Sequence, residues 1–559
     1  MHHHLLLLFT GILLALPVSA QQNEDDYIIP IQPKRCGTSI LIEQQRQTAK
    51  ANGKKKVVST TANYVPHTGA INIPVILVNF QDVKFTINDP KALFNEFFNA
   101  EQLDSLGNGL TKNHGSVRQY FSDMSSGSFT PTFKVYGPVT VDQNETYYGG
   151  SNDYGTDENA TALVRDAISK LQTSADSMTS ADISTFCADG KTVDCVYIVY
   201  AGEGQNFGGA GTTVWAKTGK YGGPLNDKAV RWYSMAGELT PTKLDANGNF
   251  SQKGTIPCIT GIGVTCHEFS HALGLPDFYP YNSSARVDNQ EMEFWDLMDG
   301  GEYSSNGFCP TAYTVWERNQ MGWPVTITTL DESQSITMAQ SSLTTGQAYK
   351  IANPDNSNEY MMLEHIHRAG WNSGLRGSGL MVYHVCEPGG ALMMGSDYND
   401  TKDYPGMAIV PADSLCASSY ETTGNYITTF RDDERIDGYK PYTAQLYGDL
   451  FPGTYSVIDK TLHVTELSDK EVKPNWCWYN TDKTEKLATN KALTNIAFNK
   501  QTGVLTFNYV ADVATAIHTV NAESTKSGKI FDLSGRLIGT DLSSLPHGIY
   551  IQDGRKIIK

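Results

Sequence analysis

One short stretch of this 559-residue chain carries side chains whose types and spacing suit metal chemistry: Thr265-Cys-His267-Glu268-Phe-Ser-His271-Ala-Leu-Gly274-Leu-Pro-Asp277. On a helix, positions i and i+4 lie one turn apart on the same face. His267 and His271 can therefore turn both imidazoles toward a single ion. Glu268 follows the first histidine and points beside that ion rather than at it. It is placed to take a proton from a bound water and to return it to a leaving amine. A catalytic zinc uses three protein ligands and keeps one position open. Gly274 tolerates the positive φ that lets the chain leave the helix sharply. Three residues on, Asp277 can bring its carboxylate back to the same ion, with Glu291, Glu293 and Glu302 as the alternative third ligands. The competing accounts are a solvated histidine face and a turn-capping aspartate. A structural zinc would be closed by four Cys or His ligands, and no fourth partner stands out.

The elements that must position these residues are readable from periodicity. Ile71 to Phe80 and Val193 to Tyr200 are apolar, β-branched runs, expected as buried strands. Val117 to Met124, Leu163 to Leu171, Ile262 to Leu273 and Thr311 to Met321 have helical spacing, the third closed by Gly274. The Gly-rich stretch from Gly202 to Gly211 lacks the G-K-[ST] ending of a phosphate loop and reads as a surface loop. After about residue 330, short alternating runs between turn signals (Ser335 to Met338, Met361 to Glu364, Gly379 to Val385) suggest an all-β, sandwich-like unit.

Composition narrows the class. A formal net charge of -17 argues against a nucleic-acid partner, which needs a basic surface. The apolar run Leu5 to Leu16, then Pro17 and Val18-Ser19-Ala20, reads as a signal peptide, although its leading residues His2, His3 and His4 supply no Lys or Arg. No later stretch has the length of apolar sequence that spans a bilayer. Export makes disulfides expected among the nine cysteines, and Cys187 with Cys195 and Cys258 with Cys266 are close enough in sequence to close short loops. Nine is odd, which leaves one thiol over, and Cys36 is the candidate. The expected order is a signal peptide (1–20), a pro-segment or linker (21–68) containing Lys54-Lys55-Lys56, a catalytic domain (69–330), an all-β accessory region (331–512) and a small C-terminal β domain (513–559).

The extended zinc motif is that of metzincin-like peptidases, and the chain resembles the immune inhibitor A family of secreted bacterial metallopeptidases. Besides the zinc helix, the resemblance rests on Pro74 to Asp82, Ser116-Val-Arg-Gln-Tyr120, Ser126-Gly127, Tyr200-Ala-Gly202, Trp295-Asp-Leu-Met298, Trp316-Glu317 through Gly322-Trp323, and Glu364 with Gly379-Leu-Met-Val-Tyr-His384. It implies an α/β (α+β) metzincin-like catalytic domain followed by β-rich domains, a zinc endopeptidase acting on proteins, a pro-segment removed on activation, and structural calcium in some members. His267, His271 and Asp277 match the ligand positions, Glu268 the catalytic glutamate, and Met298 the Met-turn methionine beneath the site. Where some metzincins carry an oxyanion-stabilising Tyr two residues after that Met, this chain has Gly300, with Tyr303 as the candidate replacement. Cys36, in Pro33-Lys-Arg-Cys-Gly-Thr38, is similar to the cysteine-switch segments of matrix metallopeptidase and pappalysin zymogens, where a thiolate takes the open zinc position. The other accounts of Cys36 are a disulfide or an idle thiol. The tail, Ile530 to Leu537, Gly548 to Tyr550 and Lys556 to Lys559, is similar to the sorting domains of type IX secretion cargo. That would carry the protein across an outer membrane to the cell surface or beyond.

Together these readings predict an exported zinc endopeptidase with protein and peptide substrates. The alternative is a surface-associated binding or adhesin protein whose catalytic site is vestigial.

Overall fold

The computed structural model describes residues 64–104, 106–150, 157–207, 210–251, 253–280, 292–386, 401, 403–414, 446–453, 455–457, 460–513, 529–532, 535–546, 548–552 and 555–559. Its centre is a seven-stranded sheet. Strands β1 (Asn72–Asn79), β2 (Thr132–Thr140), β3 (Thr192–Glu203) and the long β6 (Lys228–Leu244) run parallel in the order β2-β1-β3-β6. Along the free side of β6 lie three short antiparallel strands, β4 (Lys217–Lys220), β5 (Pro224–Leu225) and β7 (Ile256–Ile259).

Parallel sheets are covered on both faces, which is why their strands read as unbroken apolar runs. Successive side chains still alternate. From β1, Ile73, Val75 and Leu77 enter one core and Ile76 and Val78 the other; from β3, Cys195, Tyr197 and Val199 oppose Val196, Ile198 and Tyr200. The second face is closed by helix α3 (Ala160–Gln172) through Leu163, Val164, Ala167, Ile168 and Leu171. The first face receives α1 (Pro90–Asn99), α2 (Val117–Met124) and α4 (Ile262–Leu273). Helix α1 starts where Asp89 caps Ala92 N–H and Pro90 occupies the first turn, and α2 where Ser116 caps Gln119 N–H.

Beyond helix α5 (Val315–Gln320) the chain is β-rich. Strands β8 (Thr326–Thr329), β10 (Gln347–Asn353), β11 (Asn356–Ile366), β12 (Gly379–Cys386) and β13 (Met407–Ile409) form a five-stranded sheet. Strand β9 (Gln334–Met338) joins a second sheet of four strands instead. The hairpin β14 (Tyr455–Val457) and β15 (Lys460–Leu462) precedes β16 (Leu467–Ser468), which belongs to that sheet. The hairpin β17 (Trp478–Tyr479) and β18 (Lys486–Leu487) follows, then β19 (Ala492–Asn499) and β20 (Val504–Val510), which complete the order β16-β19-β20-β9. One core, including Ile336, Met361, Leu363, Leu380, Leu493 and Phe507, joins both sheets face to face. The tail forms a separate four-stranded sheet from β21 (Ile530–Phe531), β22 (Leu537–Gly539), β23 (Ile549–Gln552) and β24 (Arg555–Ile558).

Three sequence expectations are corrected. Cys187, Cys195, Cys258, Cys266 and Cys477 are buried thiols outside any disulfide. Cys187 and Cys195 belong to the cores on opposite faces of the central sheet, and Cys266 faces the first core while Cys258 packs with Leu244 and Phe308. For Cys187 and Cys195, closeness in sequence is thus undone by the sheet between the side chains. Within the Gly-rich stretch, Gln205–Phe207 form a buried helical turn rather than a surface loop. The helix expected over Thr311 to Met321 is shorter, because Thr314 and Glu317 form a capping box that starts it at Val315.

Candidate metal centre

Helix α4 is buried along its whole length. Ile262, Val264, Phe269, Ala272 and Leu273 anchor it in the first core. At its start a Cβ on Gly263 would lie 1.9 Å from the Glu302 carbonyl oxygen, so the helix touches the backbone of the segment Gly300–Gly307 directly. At its end Gly274 takes φ +107°, with its N–H on His271 O (2.9 Å) and Leu275 N–H on Ser270 O (3.1 Å). Thr218 Oγ and Ser234 Oγ donate to the Glu268 carbonyl (2.5 and 3.3 Å), tying the middle of the helix to β4 and β6.

The two imidazoles stand 4.8 Å apart between ring centres. Each Nδ1 faces a backbone carbonyl, His267 on Leu297 O (2.9 Å) and His271 on Leu275 O (2.8 Å). A carbonyl only accepts, so Nδ1 carries the hydrogen and each Nε2 presents its lone pair inward. Both Nε2 atoms converge on Asp277 Oδ1, at 3.1 and 3.3 Å. Tetrahedral ligands at about 2.0–2.1 Å from a zinc ion lie roughly 3.3 Å from one another, so the spacing and the two-nitrogen, one-oxygen donor set fit that ion. Among the described residues these three form the group whose side chains could hold a metal. Burial opposes ionisation of Asp277, but His271 and His267 beside it hold its carboxyl well below the usual carboxylate range. Glu268 is fully buried next to this group.

The other residues singled out by sequence fall around the centre. Glu302 places Oε2 3.9 Å from His267 Nδ1. Burial pushes its carboxyl up to about 8; His267 pulls against this, while Glu268 and Asp277 add to it. Glu293 lies toward Asp449 of the β region, and its charge bears on that residue. Tyr303 is buried with its ring edge-on to Phe207 and hydrogen bonds with Glu302. Met298 is fully buried, and its carbonyl accepts from Phe278 N–H (2.9 Å), one residue past Asp277. Glu291 and Cys36 lie outside the described residues. The supporting groups that sequence reasoning missed are Thr218, Ser234 and the carbonyls of Leu275 and Leu297. Backbone acceptors have no residue-type signature, so nothing in the sequence marks those two carbonyls.

A mixed sheet flanked by helices thus carries a buried helix with two histidines and an adjacent glutamate, and a carboxylate that returns to both imidazoles. Residues 67–323 match the sequence model of the family described as immune inhibitor A peptidase M6, catalytic domain. The chain is similar to the pre-pro-metalloprotease PrtV of Vibrio cholerae serotype O1, with 26% identity over 273 residues, 44% of this chain and 28% of that protein. It is also similar to immune inhibitor A of Bacillus thuringiensis subsp. alesti, with 27% identity over 298 residues, 46% of this chain and 41% of that protein. The matches thus take in well under half of either relative's own length. Among the described residues no helix is long and apolar enough to cross a membrane.

Proposed function

We propose that this protein is an exported, zinc-dependent endopeptidase made as a latent precursor. The observation that carries the reading is the convergence of His267 Nε2 and His271 Nε2 on Asp277 Oδ1, with Glu268 on the same helix. When bound, zinc would polarise the scissile carbonyl and lower the pKa of a coordinated water to about 7. His267 and His271, locked as Nδ1–H tautomers, and Asp277 would hold the ion. Glu268 would accept the proton of the attacking water and pass it to the departing amine nitrogen. Tyr303 is the candidate donor to the developing oxyanion. His267, Glu268 and His271 have no exposed surface, and Asp277 is 1% exposed. For the latent state, Cys36 is the candidate thiol and Lys54-Lys55-Lys56 the candidate cut site. The likeness of the tail to sorting domains makes export machinery its candidate partner.

The test is casein hydrolysis by the full chain before and after limited trypsin, beside Glu268→Ala, with zinc content measured in each. Activity that appears after trypsin, needs Glu268 and tracks about one zinc per chain is expected. Zinc bound without turnover in every form would favour a binding protein, and absence of zinc from the wild type would overturn the reading.

A further inference from the structure

Three acidic residues in the strings that carry the family resemblance, Asp296, Glu317 and Glu364, neither hold the ion nor move its protons. All three are buried, at 0%, 0% and 2% exposure, and they converge beneath the Met-turn. Glu364 is supplied with donors, Val315 N–H (2.9 Å) and Tyr383 O–H (2.6 Å), both on Oε1. Asp296 Oδ1 accepts from Met298 N–H (2.7 Å). Glu317 Oε2 accepts from Thr314 N–H (2.7 Å) and Thr314 Oγ (3.0 Å). That leaves Asp296 Oδ2 and Glu317 Oε1, which no N–H or other O–H reaches, while the two side chains hydrogen bond to each other. Two carboxylates that touch in a dry interior cannot both be ionised.

We propose that Asp296 and Glu317 share a proton, and that this carboxylic acid–carboxylate pair locks the turn Asp296–Met298 which orients the metal ligands. The turn reaches both arms of the centre. Leu297 O takes the Nδ1 hydrogen of His267, and Met298 O takes Phe278 N–H beside Asp277. Asp296 and Glu317 are therefore positioning residues. Around the pair stand Tyr120, Tyr313, Glu364 and, nearest the metal, His267, whose Nδ1 is already committed to Leu297. Burial raises both carboxyls, Asp296 to about 7 and Glu317 well above its ordinary range, in keeping with a retained proton.

A shared proton makes an unusual prediction for amide substitutions. In Asp296→Asn the new N–H donates to Glu317 Oε1, and in Glu317→Gln it donates to Asp296 Oδ2, so each single variant keeps the bond and its outer acceptor. In the double variant one amide must turn its NH2 toward Met298 N–H or Thr314 N–H, setting donor against donor. Zinc affinity of the full chain by chelator competition, and melting of the zinc-free chain, should stay close to wild type in both singles. The double should bind zinc about 10–100-fold more weakly, the usual effect of losing an outer-shell partner, and melt lower than the sum of the singles. The infrared carbonyl band of a buried carboxylic acid should also shrink in each single variant relative to wild type at neutral pH, a readout that does not depend on the double variant folding. A double variant no worse than the sum, a single variant as damaged as the double, or an unchanged carboxylic-acid band in both singles would each overturn the proposal. The zinc arm rests on the proposed function; if the wild type takes no zinc that reading fails, while the melting and infrared arms still decide the pair.

Discussion

Gly263→Ala tests whether helix α4 is held by backbone contact with the segment Gly300–Gly307. Helix propensity favours Ala over Gly, by about 1 kcal/mol in a helix interior and by less in the first turn where Gly263 lies, so without tertiary constraint the variant should be no less stable. The added methyl would stand 1.9 Å from Glu302 O and 2.9 Å from Glu302 C, both backbone atoms. Ordinary contact needs roughly 1.5 Å more, which a rotamer change cannot provide. Overpacking a well-filled site costs about 1–3 kcal/mol, occasionally more, and here it must be met by moving a helix buried on every side. We expect a net loss of about 2 kcal/mol, or roughly 4–8 °C in the melting of a domain of this size. The assay is thermal unfolding of the zinc-free chain, so that metal linkage does not enter. Zinc content of the loaded protein serves as a second reading, because His267 sits one turn beyond Gly263. A melting temperature equal to or above wild type would show that Gly263 does not face Glu302 and would refute the placement of the helix.

Further outcomes are expected. Asp277→Ala should leave the fold in place but bring zinc after dialysis well below one per chain; full retention would remove Asp277 as a ligand and point to Glu302. Burial pushes the Glu364 carboxyl up to about 7 against the pull of Tyr383 and Val315, so between its unfolded value of about 4.3 and 7 the folded chain holds a proton that the unfolded chain has lost. Stability of the zinc-free protein should therefore fall as pH rises through that window, and Glu364→Gln should flatten the slope; an equal slope in both would exclude Glu364 as a source. Burial likewise raises the thiols of Cys195, Cys258 and Cys477 to about 12, so alkylation should spare them in the native protein and reach them after unfolding. A Cys187–Cys195 or Cys258–Cys266 disulfide found by mass spectrometry would contradict the arrangement described above.

The centre was legible to different depths. His267, Glu268 and His271 follow from i, i+4 spacing, because one helical turn fixes which side chains share a face whatever surrounds the helix. Gly274 was legible for the same local reason, since a positive φ at a helix end selects glycine. Asp277 was one of four acidic candidates, and only the path of Leu275, Pro276 and Asp277 back under the imidazoles separates it from Glu293 and Glu302. The cysteines show the opposite case: spacing suggested pairs, but Cys195 points from β3 into one core while Cys187, ahead of that strand, packs into the other. In the β region, strand character was visible in the alternation of Ser335 to Met338. That β9 pairs with β20 across more than 160 residues was not, because pairing is set by which faces find each other.

By itself, then, the sequence determined what depends on local periodicity and residue type: two histidines and a glutamate on one helix, the buried strands that precede it, and a glycine stop. Tertiary structure decided what depends on groups distant in sequence. It gave each imidazole its tautomer through the carbonyls of Leu297 and Leu275, set Asp277 against both Nε2 atoms, kept Cys187 apart from Cys195, and brought Asp296 against Glu317. Those choices are made by backbone acceptors and by the exclusion of water, and neither is written in the identity of a single residue.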